Sequence, residues 1–138
     1  MNLTNKHYDI RDYVEGDKNF IMATFMRGVY YGDTWFSLIP KNIFMDNYKI
    51  VGEALISSPN NTVKIACLKD DADIILGYSI LSKDFTTLHF VFVKSAWRNQ
   101  GIGKSLIPIT TNTVTHLTTL GKKLMIKLKD AVFNPFKQ

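Results

Sequence analysis

The fold of this chain is decided by positions 88–105, which read LHFVFVKSAWRNQGIGKS. An apolar, β-forming run leads into a polar loop, and Gly101 and Gly103 stand where a helix would open. Unpaired backbone N–H groups at a helix start bind anions, and glycine has no Cβ to hold a phosphate away from the backbone. Arg98 and Lys104 add positive charge at the same place. The stretch therefore predicts a site for a phosphate-bearing ligand.

Two phosphate-binding patterns compete for these residues. The mononucleotide P-loop, G-x-x-x-x-G-K-[ST], is matched at its end by Gly103, Lys104 and Ser105. Arg98 stands where its first glycine belongs, and a side chain is sterically unfavourable in that sharp turn. The stretch instead resembles the acetyl-coenzyme A signature of the GNAT N-acetyltransferases, [RQ]-x-x-G-x-[GA], with Arg98, Gly101 and Gly103 at its defined positions. An ordinary glycine turn and helix cap is the remaining interpretation.

The resemblance implies an α/β (α+β) fold in which helices flank a mixed, mostly antiparallel sheet. It implies acyl transfer from acetyl-CoA to a primary amine, whose identity the sequence does not give. A backbone N–H of the fourth strand, at Phe92 or Val93, would polarise the thioester carbonyl. The residues expected to contact acetyl-CoA are Phe92, Val93, Arg98, Asn99, Gln100, Gly101, Ile102, Gly103, Lys104 and Ser105.

Hydrophobic periodicity predicts an element order that agrees with this family. The predicted elements are a strand at 8–13, helices at about 15–31 and 40–56, strands at 62–68, 74–81 and 85–93, a helix at about 101–120 and a strand at 123–128. Gly32, Asp33 and Thr34 are expected to separate the first two helices. Pro108 and the six threonines among positions 110–119 are poor helix formers, and they predict a kink or an early end near Pro108.

The groups that would move protons are hard to find in the sequence. Phe90 occupies a place that is often acidic in the family, and it cannot accept a proton. His89 has a suitable unperturbed pKa, but strand alternation directs it to the face opposite Phe90, so a hydrogen-bonded structural histidine is the favoured interpretation. Asp33 is the second candidate for a catalytic role. The family's usual C-terminal tyrosine has no counterpart after Tyr78, so we expect a C-terminally shortened member and keep a non-catalytic acyl-CoA binder as an alternative.

The acceptor is expected between the first two helices, where aromatic residues are dense. Tyr30, Tyr31 and Trp35 offer flat faces with polar tips, and Asp33 offers a carboxylate to a cationic amine. The alternative is that these aromatic side chains cover the core between the two helices.

Composition and charge limit the remaining choices. The 138 residues are expected to form a single domain, 1–138, and 46% hydrophobic with 21% charged residues is typical of a globular chain. We expect no membrane span, signal peptide or disulfide, because apolar runs are short and Cys67 is the single cysteine. A cytoplasmic location follows by default. Neither a metal site nor an oligomeric state is predicted.

The positive charge is concentrated in the C-terminal part of the chain. Positions 98–138 hold seven Lys or Arg and one Asp, which is a net charge of +6. The whole chain has a net charge of +5, so the remaining positions are slightly acidic. This basic half suits the phosphates of coenzyme A or a nucleic acid. It resembles compact, phage-type members of the family, which keeps nucleic-acid binding or modification open. The alternative for Lys122, Lys123, Lys127 and Lys129 is a solvated surface.

Overall fold

The computed structural model describes residues 7–32, 34–116 and 131–137. Their order is strand, three helices, three strands, a short helix and two short strands. The elements are β1 (Tyr8–Asp12), α1 (Lys18–Gly32), α2 (Thr34–Ser37), α3 (Lys41–Ser57), β2 (Asn61–Leu68), β3 (Asp71–Ser82), β4 (Thr87–Val93), α4 (Ile102–Leu106), β5 (Thr113–Val114) and β6 (Val132–Phe133). Short 3₁₀ turns at Glu15–Asp17 and Ser95–Trp97 lead into α1 and leave β4.

The six strands form one sheet in the order β1-β2-β3-β4-β5-β6. The first four strands are antiparallel neighbours, whereas β5 is parallel to β4 and β6 is parallel to β5. The predicted mixed, mostly antiparallel sheet with flanking helices is therefore confirmed. The consecutive strands β2 and β3 form an antiparallel hairpin.

Each face of the sheet carries its own apolar cluster. The α1 and α3 side contains Phe25, Phe44, Leu55, Tyr78 and Phe90, together with further residues of both helices. The opposite side packs around α4 through the buried Ile102 and Leu106. Alternating residues of β3 and β4 fill both clusters, as expected of a strand covered on two faces. The strands β3 and β4 are therefore packed on both faces, and the loop that leads into α4 follows β4 directly.

The third long helix predicted at 101–120 is wrong from Ile107 to His116, where the described residues are not helical. The helix α4 has five residues, and Thr113 and Val114 instead form β5 beside β4. Pro108 has no N–H for a helix, and the β-branched threonines that follow it favour extended backbone. The early end that Pro108 predicts is the correct alternative. The strand predicted at 123–128 and the stop at Gly121 lie outside the described residues.

The predicted break between the first two helices is also wrong in part. Gly32 is the last residue of α1, and Thr34 is the first residue of α2, so these two residues are helical where we expected a loop. Asp33, a candidate for both catalysis and acceptor binding, lies outside the described residues. Across the described ranges we find no helix that is long and apolar enough to cross a membrane.

Candidate functional site

The loop between β4 and α4 contains two residues with left-handed backbone, Asn99 and Gly101. Arg98 is extended, with φ −73° and ψ 159°. Asn99 and Gly101 have φ of 65° and 85°. Glycine adopts the left-handed region without steric cost and asparagine tolerates it, so the residue type suits the backbone at both positions. Since Arg98 is not left-handed, this loop does not need the first glycine of the P-loop pattern.

The space in front of Gly101 is open. A Cβ built on this residue would meet no heavy atom within 4 Å, and the residue is the N-cap of α4. The N–H groups that start α4 therefore have room for an anion beside them. The helix has five residues, so this site depends more on local N–H groups and side-chain charge than on a long helix dipole.

A tyrosine from the start of the chain holds the loop on the sheet. The Ser105 hydroxyl donates to the Gly101 carbonyl at 3.0 Å, and the buried Tyr8 hydroxyl lies 2.7 Å from Ser105 Oγ. At the other end of α4, Ser79 Oγ donates to the Leu106 carbonyl at 2.8 Å. These contacts fix both ends of α4 to β1 and β3. The contacts of Tyr8 and Ser79 with α4 join residues 97 and 27 positions apart, so no local pattern could have indicated them.

Among the described residues, the outer edge of β4 has no strand partner beyond Leu88. The N–H of Lys94 donates to the Leu76 carbonyl, so by alternation the N–H of Phe92 also faces β3, and those of Val91 and Val93 face the other edge. On that edge β5 pairs with Thr87 and Leu88, and no described strand pairs with the two valines. We call the end of this pairing at Leu88 the fork between β4 and β5, and the stretch at Val91 and Val93 the open edge of β4.

Arg98 bridges the open edge and the loop. Its Nε donates to the Val93 carbonyl at 3.0 Å, while the side chain stays exposed. The guanidinium has further N–H groups that can bind a phosphate without breaking this bond. Lys104 is exposed on the first turn of α4. The basic residues Lys122, Lys123, Lys127 and Lys129 lie outside the described residues.

A bulge in β4 redirects His89. Ile80 pairs with Phe90 and Leu81 pairs with Leu88, so His89 is the extra residue. Its Nε2 lies 3.2 Å from Asn61 Oδ1, and Asn61 alternates with Val63 of the α1 and α3 cluster. His89 therefore lies on the same face as Phe90, and our prediction of the opposite face is wrong because the bulge interrupts the alternation.

His89 belongs to a buried polar group that includes a second histidine. His89 Nδ1 and His116 Nδ1 both lie 3.0 Å from Thr115 Oγ1, and His116 Nε2 is hydrogen-bonded to the Tyr48 hydroxyl. Burial lowers the pKa of His89 to about 4 and, with the charge of His89 nearby, the pKa of His116 to about 4. Burial raises the pKa of Tyr48 to about 12. All three are therefore neutral at pH 7.

The aromatic residues predicted to bind the acceptor differ in exposure. Tyr30 is buried, and its hydroxyl donates to the Ile39 carbonyl at 2.7 Å, which favours a packing role. Tyr31 and Trp35 are 61% and 66% exposed and so are available to a ligand. Lys41 Nζ lies 5.4 Å from the centre of the Tyr31 ring. Acceptor binding by these residues stays a prediction.

Tyr48, Thr115, His116 and Asn61 were not predicted as functional residues. Their contacts join α3, β2, β4 and the end of β5, so no local sequence pattern marks them. Within the described ranges no group of three or more His, Cys, Asp or Glu side chains could hold a metal ion.

Comparison with known proteins gives matches among solved structures. No protein-family model matches the sequence, and no curated protein matches it either. A protein from Pyrococcus furiosus that is assigned as an acetyl transferase aligns with a TM-score of 0.60 at 16% identity, over 92% of this chain and 81% of that one. Aminoglycoside N-acetyltransferase AAC(6')-Iy, in complex with CoA, aligns with a TM-score of 0.56 at 15% identity, over 97% and 94% of the two chains.

A third structure has a different named acceptor. The ribosomal-protein-alanine N-acetyltransferase from Brucella melitensis biovar Abortus 2308 aligns with a TM-score of 0.55 at 14% identity, over 95% of this chain and 96% of that one. The chain has the GNAT fold. The names of the second and third proteins indicate different acceptors, so the GNAT fold does not identify an acceptor for this chain.

Proposed function

We propose that this protein is an N-acetyltransferase that transfers the acetyl group of acetyl-CoA to a primary amine. The observation that carries the proposal is the open edge of β4 at Val91 and Val93, which leads directly into the glycine loop. An extended pantetheine chain can pair with such an edge, and its pyrophosphate would then lie at the start of α4. The open space at Gly101 and the two cations Arg98 and Lys104 suit this placement.

The chemistry needs few side chains. The amine nitrogen forms a bond to the thioester carbonyl carbon, the C–S bond breaks, and the sulfur leaves with the electron pair and gains a proton. A backbone N–H can stabilise the negative charge that develops on the carbonyl oxygen. Of the two predicted donors, Val93 is favoured, because the N–H of Phe92 faces β3.

Turnover with a panel of primary amines tests the activity. We expect acetyl-CoA to be consumed with one amine class, giving free CoA thiol and an acetylated product of the expected mass. Polyamines, aminoglycosides, lysine peptides and peptides with a free N-terminus form a suitable panel. Binding of acetyl-CoA without turnover would instead favour the non-catalytic acyl-CoA binder.

We expect Gly101→Ala to weaken acetyl-CoA binding about tenfold. A non-glycine residue in the left-handed region costs about 1–2 kcal/mol, and about 1.4 kcal/mol corresponds to a tenfold change. The loop would relieve this strain by moving away from the proposed phosphate position. Calorimetric titration measures the effect. Gly16→Ala is the matched control, because a Cβ there also meets nothing within 4 Å and the backbone is not left-handed; equal affinities for both variants would contradict the placement.

Arg98→Ala is expected to weaken acetyl-CoA binding roughly tenfold or more at low salt. A charge-assisted hydrogen bond to a phosphate contributes about 1.5–3 kcal/mol. The loss should become smaller as the salt concentration rises, since screening weakens the same interaction in the parent. Arg98→Lys, which keeps the charge but loses the Nε bond to the Val93 carbonyl, separates charge from shape. A loss that is independent of salt would show that Arg98 serves the loop structure alone.

A further inference from the structure

We propose that a hydrogen-bonded relay accepts the proton released by the attacking amine and returns it to the leaving sulfur. Its members are Tyr48, His116, Thr115, His89 and Asn61, and in the resting protein all of its hydrogen bonds point the same way along it. This inference rests on the proposed acetyl transfer and adds residues from α3, β2 and the fork between β4 and β5. The direction of the relay can be measured without turnover.

The relay is continuous from α3 to β2. The Tyr48 hydroxyl bonds to His116 Nε2, and Thr115 Oγ1 lies 3.0 Å from both His116 Nδ1 and His89 Nδ1. His89 Nε2 lies 3.2 Å from Asn61 Oδ1. Thr115, His89 and His116 are buried, with exposures of 2%, 2% and 7%. Because these side chains are buried and each is hydrogen-bonded to the next, one ordered pattern of donors and acceptors is favoured.

Asn61 fixes the direction of the relay at one end. Its Nδ2 donates at 3.0 Å to the Leu55 carbonyl, which can only accept, so its Oδ1 faces His89. His89 Nε2 must therefore carry the proton and donate to Asn61 Oδ1. A neutral His89 then has an unprotonated Nδ1, which accepts the Thr115 hydroxyl proton at 3.0 Å, a shorter contact than the 3.5 Å from Thr115 Oγ1 to the His89 carbonyl.

The remaining bonds follow from this first step. The Thr115 hydroxyl has one proton, which goes to His89, so His116 Nδ1 must donate to Thr115 Oγ1. A neutral His116 then has an unprotonated Nε2, which accepts the Tyr48 hydroxyl proton. Every bond of the relay points from Tyr48 towards Asn61. The two histidines are consequently in opposite tautomers.

The relay lies where the fork opens. The last backbone bond between β5 and β4 joins the Thr115 N–H to the Leu88 carbonyl at 3.0 Å, and the side-chain bond from Thr115 to His89 follows it directly. Beyond this point the edge of β4 is open, and Tyr48 reaches over the sheet from α3 beside Phe25 and His116. Tyr48 is half-buried whereas Thr115, His89 and His116 are buried, so the proposal assigns the proton exchange with the amine to Tyr48.

The other end of the relay is next to a small polar cavity of about 250 Å³. His89 lines this cavity together with Asn61, Asp84 and Lys137. Asp84 and Lys137 are its charged members, and Asp84 is already bound by Ser82 and Thr86. A positive charge on His89 is therefore formed beside the Asn61 amide oxygen and near one carboxylate and one ammonium group.

The proton transfer balances in both directions. The attacking nitrogen gives its proton to the Tyr48 oxygen as the Tyr48 proton moves to His116 Nε2. The His116 Nδ1 proton moves to Thr115 Oγ1, and the Thr115 proton moves to His89 Nδ1, so the charge stops on His89. When the C–S bond breaks, the same transfers reverse and the sulfur receives the proton. The protein ends with the protons with which it began.

Nitrogen-15 NMR of the histidine rings tests the direction in the resting protein. We expect His89 to be protonated on Nε2 and His116 on Nδ1 at pH 7. Thr115→Val removes the hydroxyl at nearly constant shape, and we expect it to abolish the fixed tautomer of His116, whereas Thr115→Ser should preserve both tautomers. The same tautomer on both rings, or a charged ring at pH 7, would overturn the relay.

Turnover of the best amine tests the proton transfer. We expect Thr115→Val and Tyr48→Phe to lower kcat by about 10²-fold, as for loss of general acid–base help, with the affinity for acetyl-CoA unchanged. Thr115→Ser should stay within about threefold of the parent, and the solvent deuterium isotope effect on kcat should change in the valine variant. Parent-like kcat in either Thr115→Val or Tyr48→Phe would refute the transfer.

Failure of the two proposals can be distinguished. A parent protein that acetylates no amine would refute the proposed function and the role of the relay in it, whereas the NMR result would still decide the bond directions. A parent that turns over normally, with parent-like Thr115→Val, would refute the relay and leave the proposed function intact.

Discussion

Lowering the pH from 7 to 5 is expected to reduce the free energy of unfolding by on the order of 3 kcal/mol, because two buried histidines must stay neutral in the fold. Burial lowers the pKa of His89 and of His116 to about 4, against a usual value of 6.5. In the unfolded chain both rings gain a proton below about pH 6.5, and in the folded chain they do not. Between these two pKa values, each histidine then lowers the free energy of unfolding by about 1.4 kcal/mol for each pH unit by which the pH falls.

The stability from these two rings is fully present above pH 6.5 and is lost progressively as the pH falls towards 4. Carboxylates change the free energy of unfolding at lower pH than the histidines do. Hydrogen bonds from Arg11 lower the pKa of Asp17, and those from Ser82 and Thr86 lower the pKa of Asp84 to about 2. Urea unfolding at several pH values between 7 and 5 therefore measures the contribution of the two histidines to stability, separately from that of the carboxylates.

The number of protons taken up on unfolding gives the sharper measurement. We expect about two protons per molecule near pH 5, falling to about one in His116→Gln. His7→Ala, which removes an exposed histidine, is the matched control and should leave the value unchanged. A stability that is flat between pH 7 and 5 would contradict the buried, neutral state of both rings.

Gly77→Ala is expected to cost about 2–4 kcal/mol of stability, at the upper end of what overpacking causes. A Cβ on Gly77 would lie 2.5 Å from the Phe92 carbonyl oxygen and 3.2 Å from Val93 Cα. Both obstacles are backbone atoms of β4, so no side-chain rotation can relieve the contact. The strand would have to move away from β3 at the residues that form the proposed acetyl-CoA edge.

Chemical denaturation of Gly77→Ala beside Gly16→Ala measures this effect. The control residue has no heavy atom within 4 Å of its would-be Cβ, so its substitution should change stability by less than about 0.5 kcal/mol. Equal stabilities for the two variants would mean that β3 and β4 approach each other less closely than the structure indicates.

Much of the fold could be predicted because local patterns agree with it. The helical spacing of Phe25 and Val29 specifies one helix and its buried face, and the apolar run of β4 specifies a strand that is covered on both faces. The left-handed turn of the loop between β4 and α4 could be predicted because left-handed backbone selects glycine, as at Gly101. Cys67 lies in the strand predicted at 62–68, and it is buried in β2.

The relay could not be predicted, because its members are distant in sequence and its geometry depends on a bulge. Alternation placed His89 on the wrong face, since nothing in the run of β4 marks the extra residue. Its partners Asn61 and Thr115 lie 28 and 26 residues away. The end of α4 was harder to place than its start, because five residues of helix carry too little periodicity to mark where it stops.

Titration of the purified protein with acetyl-CoA, and separately with ATP, tests the central claim most directly. The open edge of β4 and the loop at Gly101 together fit a ligand with an extended pantetheine arm and a pyrophosphate, so we predict one site that binds acetyl-CoA more tightly than ATP. Backbone amide signals of Val91, Val93 and the start of α4 should shift on binding. No binding of acetyl-CoA, or tighter binding of ATP at the same amides, would contradict the account.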